Sequence, residues 1–320
     1  MSTRVAVVQA TPAYLDRDAC LAVVVDRIRA AAALGACLVV LPESFVPGFP
    51  YWPRAYPLPE RGRSLDALER LRDSAVRIHL DDLSDVQGAA RAASVTVVLG
   101  ITELGERPAL LYNTMVTIGP DGQIRQVHRK LQLTFDERCV WSAGDAVGLD
   151  VVHTEAGATG GLICGNNSIT LAKATLLLAG EQIHCALWPG YTWMQPTVDI
   201  VSRGYAIEGR VFVLVAASYL PESAVPSDLP LREETAWTVD GGSGIVGPDG
   251  HWLAGPVLGE EAILTAEIDV AELSRYRAVR DAVDDYGRPD LFRLHVNRAP
   301  LRARGTAVED DPGEDWRVYR

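Results

Sequence analysis

The sequence is short of cysteine, histidine, positive charge and long apolar runs. Its five cysteines, Cys20, Cys37, Cys139, Cys164 and Cys185, are scattered, odd in number and never spaced Cys-x-x-Cys. That pattern offers neither a disulfide framework nor a zinc–thiolate cluster, and it fits a reduced compartment. The six histidines (His79, His128, His153, His184, His251 and His295) show no His-x-His or His-x-x-x-His spacing, so no metal is expected. Lys and Arg total 30 against 42 Asp and Glu, a net charge of −12. A chain this acidic is a poor partner for a nucleic-acid backbone or an anionic membrane. No apolar stretch approaches the roughly 18 residues that would span a bilayer. The Gly-x-Ser-x-Gly elbow and the phosphate-binding Gly-x-x-x-x-Gly-Lys loop are also missing. The opening run Met1-Ser-Thr-Arg-Val-Ala-Val-Val8 is strand-like at once, without a signal-peptide pattern, and a cytoplasmic location is expected.

What is present is an ordinary globular balance, 48% hydrophobic and 22% charged over 320 residues. Short β-branched or apolar runs at 5–8, 37–41, 95–101, 112–118, 161–163, 184–188, 211–217 and 262–268 read as strands. Helical periodicity occupies 18–33, 64–78, 82–93, 169–179, 199–208 and 271–280. Two turns of the same type, Gly119-Pro-Asp-Gly122 and Gly247-Pro-Asp-Gly250, each join a pair of strands into a hairpin. The proline-rich stretch 47–53 must be a loop, and 134–141 a loop or short helix. Strands alternating with helices, with hairpins between, predict an α/β fold of mixed sheets covered by helices. Residues 1–297 read as one domain. The polar, acidic stretch 298–320 reads as a mobile tail.

The stretch Thr159-Gly-Gly-Leu-Ile-Cys164-Gly-Asn-Asn-Ser168 organises the chemistry. It reads as a buried strand, a sharp glycine turn and then a helix capped by Ser168. Backbone N–H groups and the helix dipole would then face Cys164, lower its thiol pKa and stabilise negative charge on a substrate. Two further residues end buried strands: Glu43 after Leu-Val-Val-Leu-Pro, and Lys130 after 123–128. A carboxylate can take the thiol proton, an ammonium can stabilise developing charge, and a thiol can form a covalent intermediate. Spacing alone does not join the three in space.

Taken together, Leu41-Pro-Glu43-Ser-Phe, His128-Arg-Lys130-Leu and the strand-ending Cys164 resemble the nitrilase superfamily of carbon–nitrogen hydrolases, over residues 5–294. Tyr112-Asn-Thr114, Tyr205-Ala-Ile-Glu-Gly209, Gly241-Gly-Ser243 and the two Pro-Asp-Gly turns add to the likeness. The resemblance implies a four-layer αββα sandwich, dimers stacked helix to helix, and a Glu43–Lys130–Cys164 set that works without a cofactor. Pro47-Gly-Phe-Pro-Tyr-Trp52 is similar to the aromatic segment of the nitrilase branch. Thr134-Phe-Asp-Glu137-Arg-Cys-Val-Trp141 is similar to the segment that carries a second glutamate, so Glu137 is expected to orient Lys130 or the substrate nitrogen. Tyr51, Trp52, Trp188 and Tyr191 are candidates to line a pocket for an aryl or alkyl nitrile. Two departures stand out. Gly165 and Asn166 occupy positions where the branch usually has Trp-Glu, and Asp284-Asp285-Tyr286 stands where it often has Gly-His-Tyr. Gly165 and Asn166 are therefore expected to reshape the substrate pocket and the acid-to-amide product ratio. The rival readings are an amidase of the same superfamily and a non-catalytic oligomeric homologue. At least a homodimer is expected.

Overall fold

The computed structural model describes residues 2–55, 61–106, 110–229, 238–283 and 286–300. Most of the expected tail, 301–320, and the Asp284-Asp285 pair lie outside the described residues. Strands β1 (Thr3–Gln9), β2 (Leu38–Val40), β3 (Thr96–Leu104), β4 (Leu111–Ile118) and β5 (Ile124–Arg129) come first along the chain. β6 (Val152–His153), β7 (Ala158–Ile163), β8 (Ile183–Trp188), β9 (Phe212–Ala217) and β10 (Tyr219–Leu220) follow. β11 (Val239–Val246), β12 (Trp252–Leu258) and β13 (Ala262–Ile268) complete the set. The helices are α1 (Arg17–Ala33), α2 (Trp52–Ala55), α3 (Arg61–Asp73), α4 (Ser84–Ala93), α5 (Thr170–Leu178), α6 (Gln195–Gly209) and α7 (Leu273–Arg277).

Among the described residues the strands form two mixed sheets. The six-stranded sheet runs β13-β1-β2-β3-β4-β5. β1, β2 and β3 are parallel in it, and β3, β4 and β5 form an antiparallel meander. In the second sheet β7, β8 and β9 are parallel. β6 closes one side of it, and β10, β11 and β12 the other.

Strand alternation explains the layers. Successive side chains point to opposite faces, and both faces of β1 and β2 are covered. Val5, Val7 and Leu38 pack with Cys185, Leu187 and Val213 of the other sheet. Their neighbours Ala6, Val8 and Val39 pack outward on Val24 and Ile28 of α1 and Val86 of α4. On the far side, Leu162 of β7 meets Ala172 and Leu176 of α5. The order is helices, sheet, sheet, helices, the four-layer αββα sandwich. A strand buried on both faces needs no polar alternation, so it appears in the sequence as a continuous apolar run. Each fully buried Val or Leu contributes about 1.5–3 kcal/mol.

Three local expectations need correction. Ser168 does not cap the helix after Cys164; residues Cys164–Ser168 form a turn of 3-10 helix, and α5 starts only at Thr170, with Ile169 at its cap. The segment 47–53 is not loop throughout, because Trp52 starts α2. The α3 helix covers Arg61–Asp73 rather than 64–78. β10, only two residues long, carries too little periodicity to read from sequence.

Candidate active site

In parallel α/β sheets the carboxyl ends of the strands open onto the ligand crevice. Glu43 and Cys164 follow the carboxyl ends of β2 and β7, and Lys130 follows that of β5. The two sheets bring these ends face to face. Leu41 still donates to Val98 O at 2.8 Å. Pro42 has no N–H to continue the ladder, so the chain turns away at Glu43. The turn lies directly against β3 at Gly100. A Cβ there would sit 2.2 Å from Pro42 O and 2.6 Å from Ser44 N, so only glycine lets the chain pass.

Lys130 reaches the site as β5 ends, its N–H held by Asn113 O at 2.8 Å. Its Nζ donates to Glu43 Oε1 at 2.7 Å and to Glu137 Oε1 at 2.8 Å. Asn113 Nδ2 donates to the same Glu43 oxygen at 2.7 Å. Glu137 sits on a short 3-10 turn, Phe135–Cys139, whose start is locked by a capping box with Thr134. In that box Glu137 Oε2 accepts from Thr134 N at 2.9 Å, leaving Oε1 for Lys130. Carboxylate oxygens of Glu43 and Glu137 and the sulfur of Cys164 all lie within 4.8 Å of one another. Glu43 and Lys130 are 0% exposed and Cys164 3%, so the whole set is withdrawn from water.

The sulfur opens into a cavity of ≈ 50 Å³ lined by Phe49, Tyr51, Thr134, Glu137, Cys164 and Tyr191, among others. Its aromatic wall is closely packed. Phe49 lies 5.0 Å from Tyr51, 5.4 Å from Trp141 and 5.9 Å from Tyr191, centroid to centroid. Tyr51 OH is tied to Pro189 O at 2.6 Å.

Comparison with known proteins identifies the family. Residues 4–278 match the family described as Carbon-nitrogen hydrolase. The chain belongs to that family. It is 34% identical over 298 residues to Nitrilase 2 of an unknown prokaryotic organism, covering 92% of each protein. It is 33% identical to an aliphatic nitrilase of Sinorhizobium fredii strain HH103, covering 94% of this chain and 97% of that one. Among solved structures, the NitN amidase of Neterenkonia sp. AN1 superposes with a TM-score of 0.65 at 21% identity, over 87% of this chain and 97% of its own. At that identity the last likeness concerns the fold.

In this carbon–nitrogen hydrolase, burial governs the protonation states. Three acidic groups surround one cation. Desolvation raises Glu43 to about 7, against the pull of Lys130, while Glu137 pushes in the same direction as burial. For Lys130 burial alone would lower the pKa, but Cys164, Glu43 and Glu137 outweigh it and the ammonium persists. Burial and then Glu43 push the Cys164 thiol well up; Lys130 and the Gly165 N–H pull only part of the way back. The expectation of a depressed thiol pKa is therefore reversed. A five-residue turn supplies little helix dipole, and the surroundings are dry. The resting site holds a thiol beside a poised carboxylate. His128 plays no acid–base part, since burial holds it neutral with a pKa of about 4.

The structure distributes the remaining candidates unevenly. Tyr51 and Tyr191 face the cavity. Trp52 and Trp188 do not. Trp52 packs edge-on to Tyr14 at 6.5 Å, and Trp188 lies in the core between the sheets. Both are almost fully buried in hydrophobic clusters that take the large ring surface out of water. Asn166 does not face the cavity either. Its Oδ1 accepts from Leu131 N at 2.9 Å and Gln132 N at 3.1 Å, and its Nδ2 donates to Gln132 O at 2.7 Å. It latches the segment after Lys130 to the Cys164 turn. Gly165 adjoins Cys164, and a Cβ on it would meet Thr134 Oγ1 at 3.1 Å, so the missing side chain makes room for the Glu137 cap. Sequence reasoning quoted Asn113, Thr134 and Phe49 only as parts of motifs, with no site role, and passed over Gly100. For Asn113 the signal was there, a lone amide on an otherwise mostly buried strand.

Proposed function

We propose that this carbon–nitrogen hydrolase is a nitrilase, converting a nitrile and two waters to a carboxylic acid and ammonia. The observation that carries the reading is the dry contact of Lys130 with Glu43 and Glu137 beside the Cys164 sulfur. The likeness to curated nitrilases along most of the chain supports the nitrile as substrate. Glu43 takes the Cys164 proton as the sulfur attacks the nitrile carbon. The proton passes to the nitrogen, whose developing charge Lys130 and the Gly165 N–H stabilise, and a thioimidate forms. Glu43 then removes a proton from water, which adds to the carbon to give a tetrahedral intermediate. The nitrogen is protonated and leaves as ammonia, giving a thioester. A second water, activated in the same way, releases the acid and restores the thiol. Glu137 holds Lys130 in place. If the tetrahedral intermediate expels sulfur first, an amide leaves instead.

The same reading treats residues 1–297 as one catalytic domain and 298–320 as a tail beyond it. It places the protein in the cytoplasm as a homodimer or larger assembly that needs neither cofactor, nucleic acid nor membrane. Among the described residues no helix is long and apolar enough to cross a membrane. The test is product analysis by mass spectrometry with aryl, arylalkyl and aliphatic nitriles and their matching amides. Acid from nitriles with the amides untouched supports a nitrilase. Turnover of the amides alone moves the assignment to an amidase and overturns the reading.

A further inference from the structure

Behind Cys164 runs a line of buried polar groups that the proposed reaction does not use. Asn167 Nδ2 donates to Cys164 O at 2.8 Å and to Leu162 O at 3.2 Å. Its Oδ1 lies 2.8 Å from His184 Nε2. His184 Nδ1 lies 2.8 Å from Glu181 Oε1, and Tyr205 OH donates to Glu181 Oε2. All four side chains are withdrawn from water, with exposures of 3% for Asn167, 1% for His184, 0% for Glu181 and 2% for Tyr205. Gly160 of β7 makes the space, since a Cβ there would fall 2.4 Å from Glu181 Oε1.

The protons can be placed by elimination. Asn167 offers its amide hydrogens to two carbonyls, so its oxygen must face His184, and Nε2 of that ring must be the donor. The Tyr205 hydrogen occupies one oxygen of Glu181. The remaining contact, His184 to Glu181, then holds one proton between two groups and is neutral as a pair. Neutrality is what so dry a site requires, because an unpaired charge there would cost several kcal/mol. The end of the line is the peptide of Cys164. That residue has φ 49, a left-handed conformation unusual for a residue with a side chain. Such a conformation persists only where the surroundings impose it.

We propose that Asn167, oriented by the His184–Glu181–Tyr205 line, is the positioning residue of the nucleophile. By holding the Cys164 carbonyl it fixes the left-handed turn that aims the sulfur at Glu43. This rests on the reading of Cys164 as the nucleophile. The experiment measures kcat and KM on the best nitrile or amide substrate, together with the rate at which iodoacetamide alkylates Cys164, read by peptide mass spectrometry. In Asn167→Ala and His184→Ala, kcat and the alkylation rate are expected to fall together by about 100-fold, with KM changed less than about threefold, as a misplaced reacting atom would dictate. The double variant His184→Gln, Glu181→Gln keeps a neutral line with an N–H donor where Nε2 was. It is expected to recover both rates to within about tenfold of the wild type, and it stands in if the alanine variants fail to fold. Unchanged kcat and alkylation in folded Asn167→Ala or His184→Ala overturn the proposal. So does a double variant as slow as His184→Ala, or a wild-type thiol as inert as that of Asn167→Ala. If the wild type turns over neither nitriles nor amides, the proposed function fails, while the alkylation rates still decide the positioning role.

Discussion

At the residue scale the site is a problem of one cation among three acids. Lys130 cannot neutralise Glu43, Glu137 and Cys164 together, so the proton that burial keeps on the Cys164 thiol is as much a part of the site as the side chains. The pH dependence follows. Glu43 can act as base only when ionised, and burial raises it to about 7. As pH falls through that value kcat/KM should fall about tenfold per unit, one proton being gained by the reacting set. A profile flat from pH 8 to 5 would remove Glu43 from the base role. Cys164→Ala should abolish turnover while the melting temperature stays close to that of the wild type, since it removes a neutral buried thiol. Measurable turnover in that variant would end the nucleophile assignment. Lys130→Ala should behave differently. It leaves Glu137 buried beside an unpaired carboxylate and should cost about 3–5 kcal/mol of stability, measured by urea denaturation, as well as activity. Much of this was legible in the sequence. Glu43, Lys130 and Cys164 are reactive side chains at the ends of apolar runs, and Glu137 follows from the segment it shares with the family. The thiol pKa was not legible, because it depends on which groups surround the sulfur and how dry they are.

At the scale of elements, the sequence reading succeeded where a strand is covered on both faces and failed where tertiary contacts decide. The β9 run, buried at every residue, was readable to within one residue because nothing polar interrupts it. The turn after Cys164 was misread because Ser168 looks like a cap, whereas Asn166 bonds to the segment after Lys130 and Asn167 bonds back to the Cys164 carbonyl, and 164–168 forms a tighter coil. Trp52 and Trp188 were misplaced for a related reason. An aromatic near a site looks the same in sequence whether it faces cavity or core. Gly100 is the sharpest case, an unremarkable glycine in a β-run that decides how closely Glu43 can approach β3. Gly100→Ala should push the 42–44 backbone away from the sheet. About 1–3 kcal/mol of stability should be lost, and kcat should drop more than tenfold. Wild-type kinetics in Gly100→Ala would show that the Glu43 turn can shift without harm.

At the scale of the whole molecule, the outer face of the second sheet's helices is unusually apolar for a surface facing water. Leu171 and Leu178 on α5 are 61% and 58% exposed, and Ile200 and Ile207 on α6 are 69% and 37% exposed. Within each helix the pair is spaced by two turns, so each helix shows one apolar stripe. The helices lie side by side, with Lys173 Nζ on α5 3.0 Å from Glu208 Oε2 on α6, so the stripes belong to one surface. Exposed aliphatic side chains grouped on neighbouring helices are what an interface between copies would cover. A second copy of the chain can cover them with the same surface turned about a twofold axis, which satisfies both copies at once. Light scattering after size exclusion should therefore give a mass of at least two chains. Ile200→Glu would place a charge at the centre of the contact, where it would lie buried and unpaired, and should shift the mass to one chain. Because Cys164, Glu43 and Lys130 are themselves buried and none of the exposed aliphatic side chains lines their cavity, the dissociated variant should keep most of its activity per chain at high protein concentration. A wild-type protein that runs as a single chain would refute the interface, and an Ile200→Glu variant that remains a dimer would place it on another face.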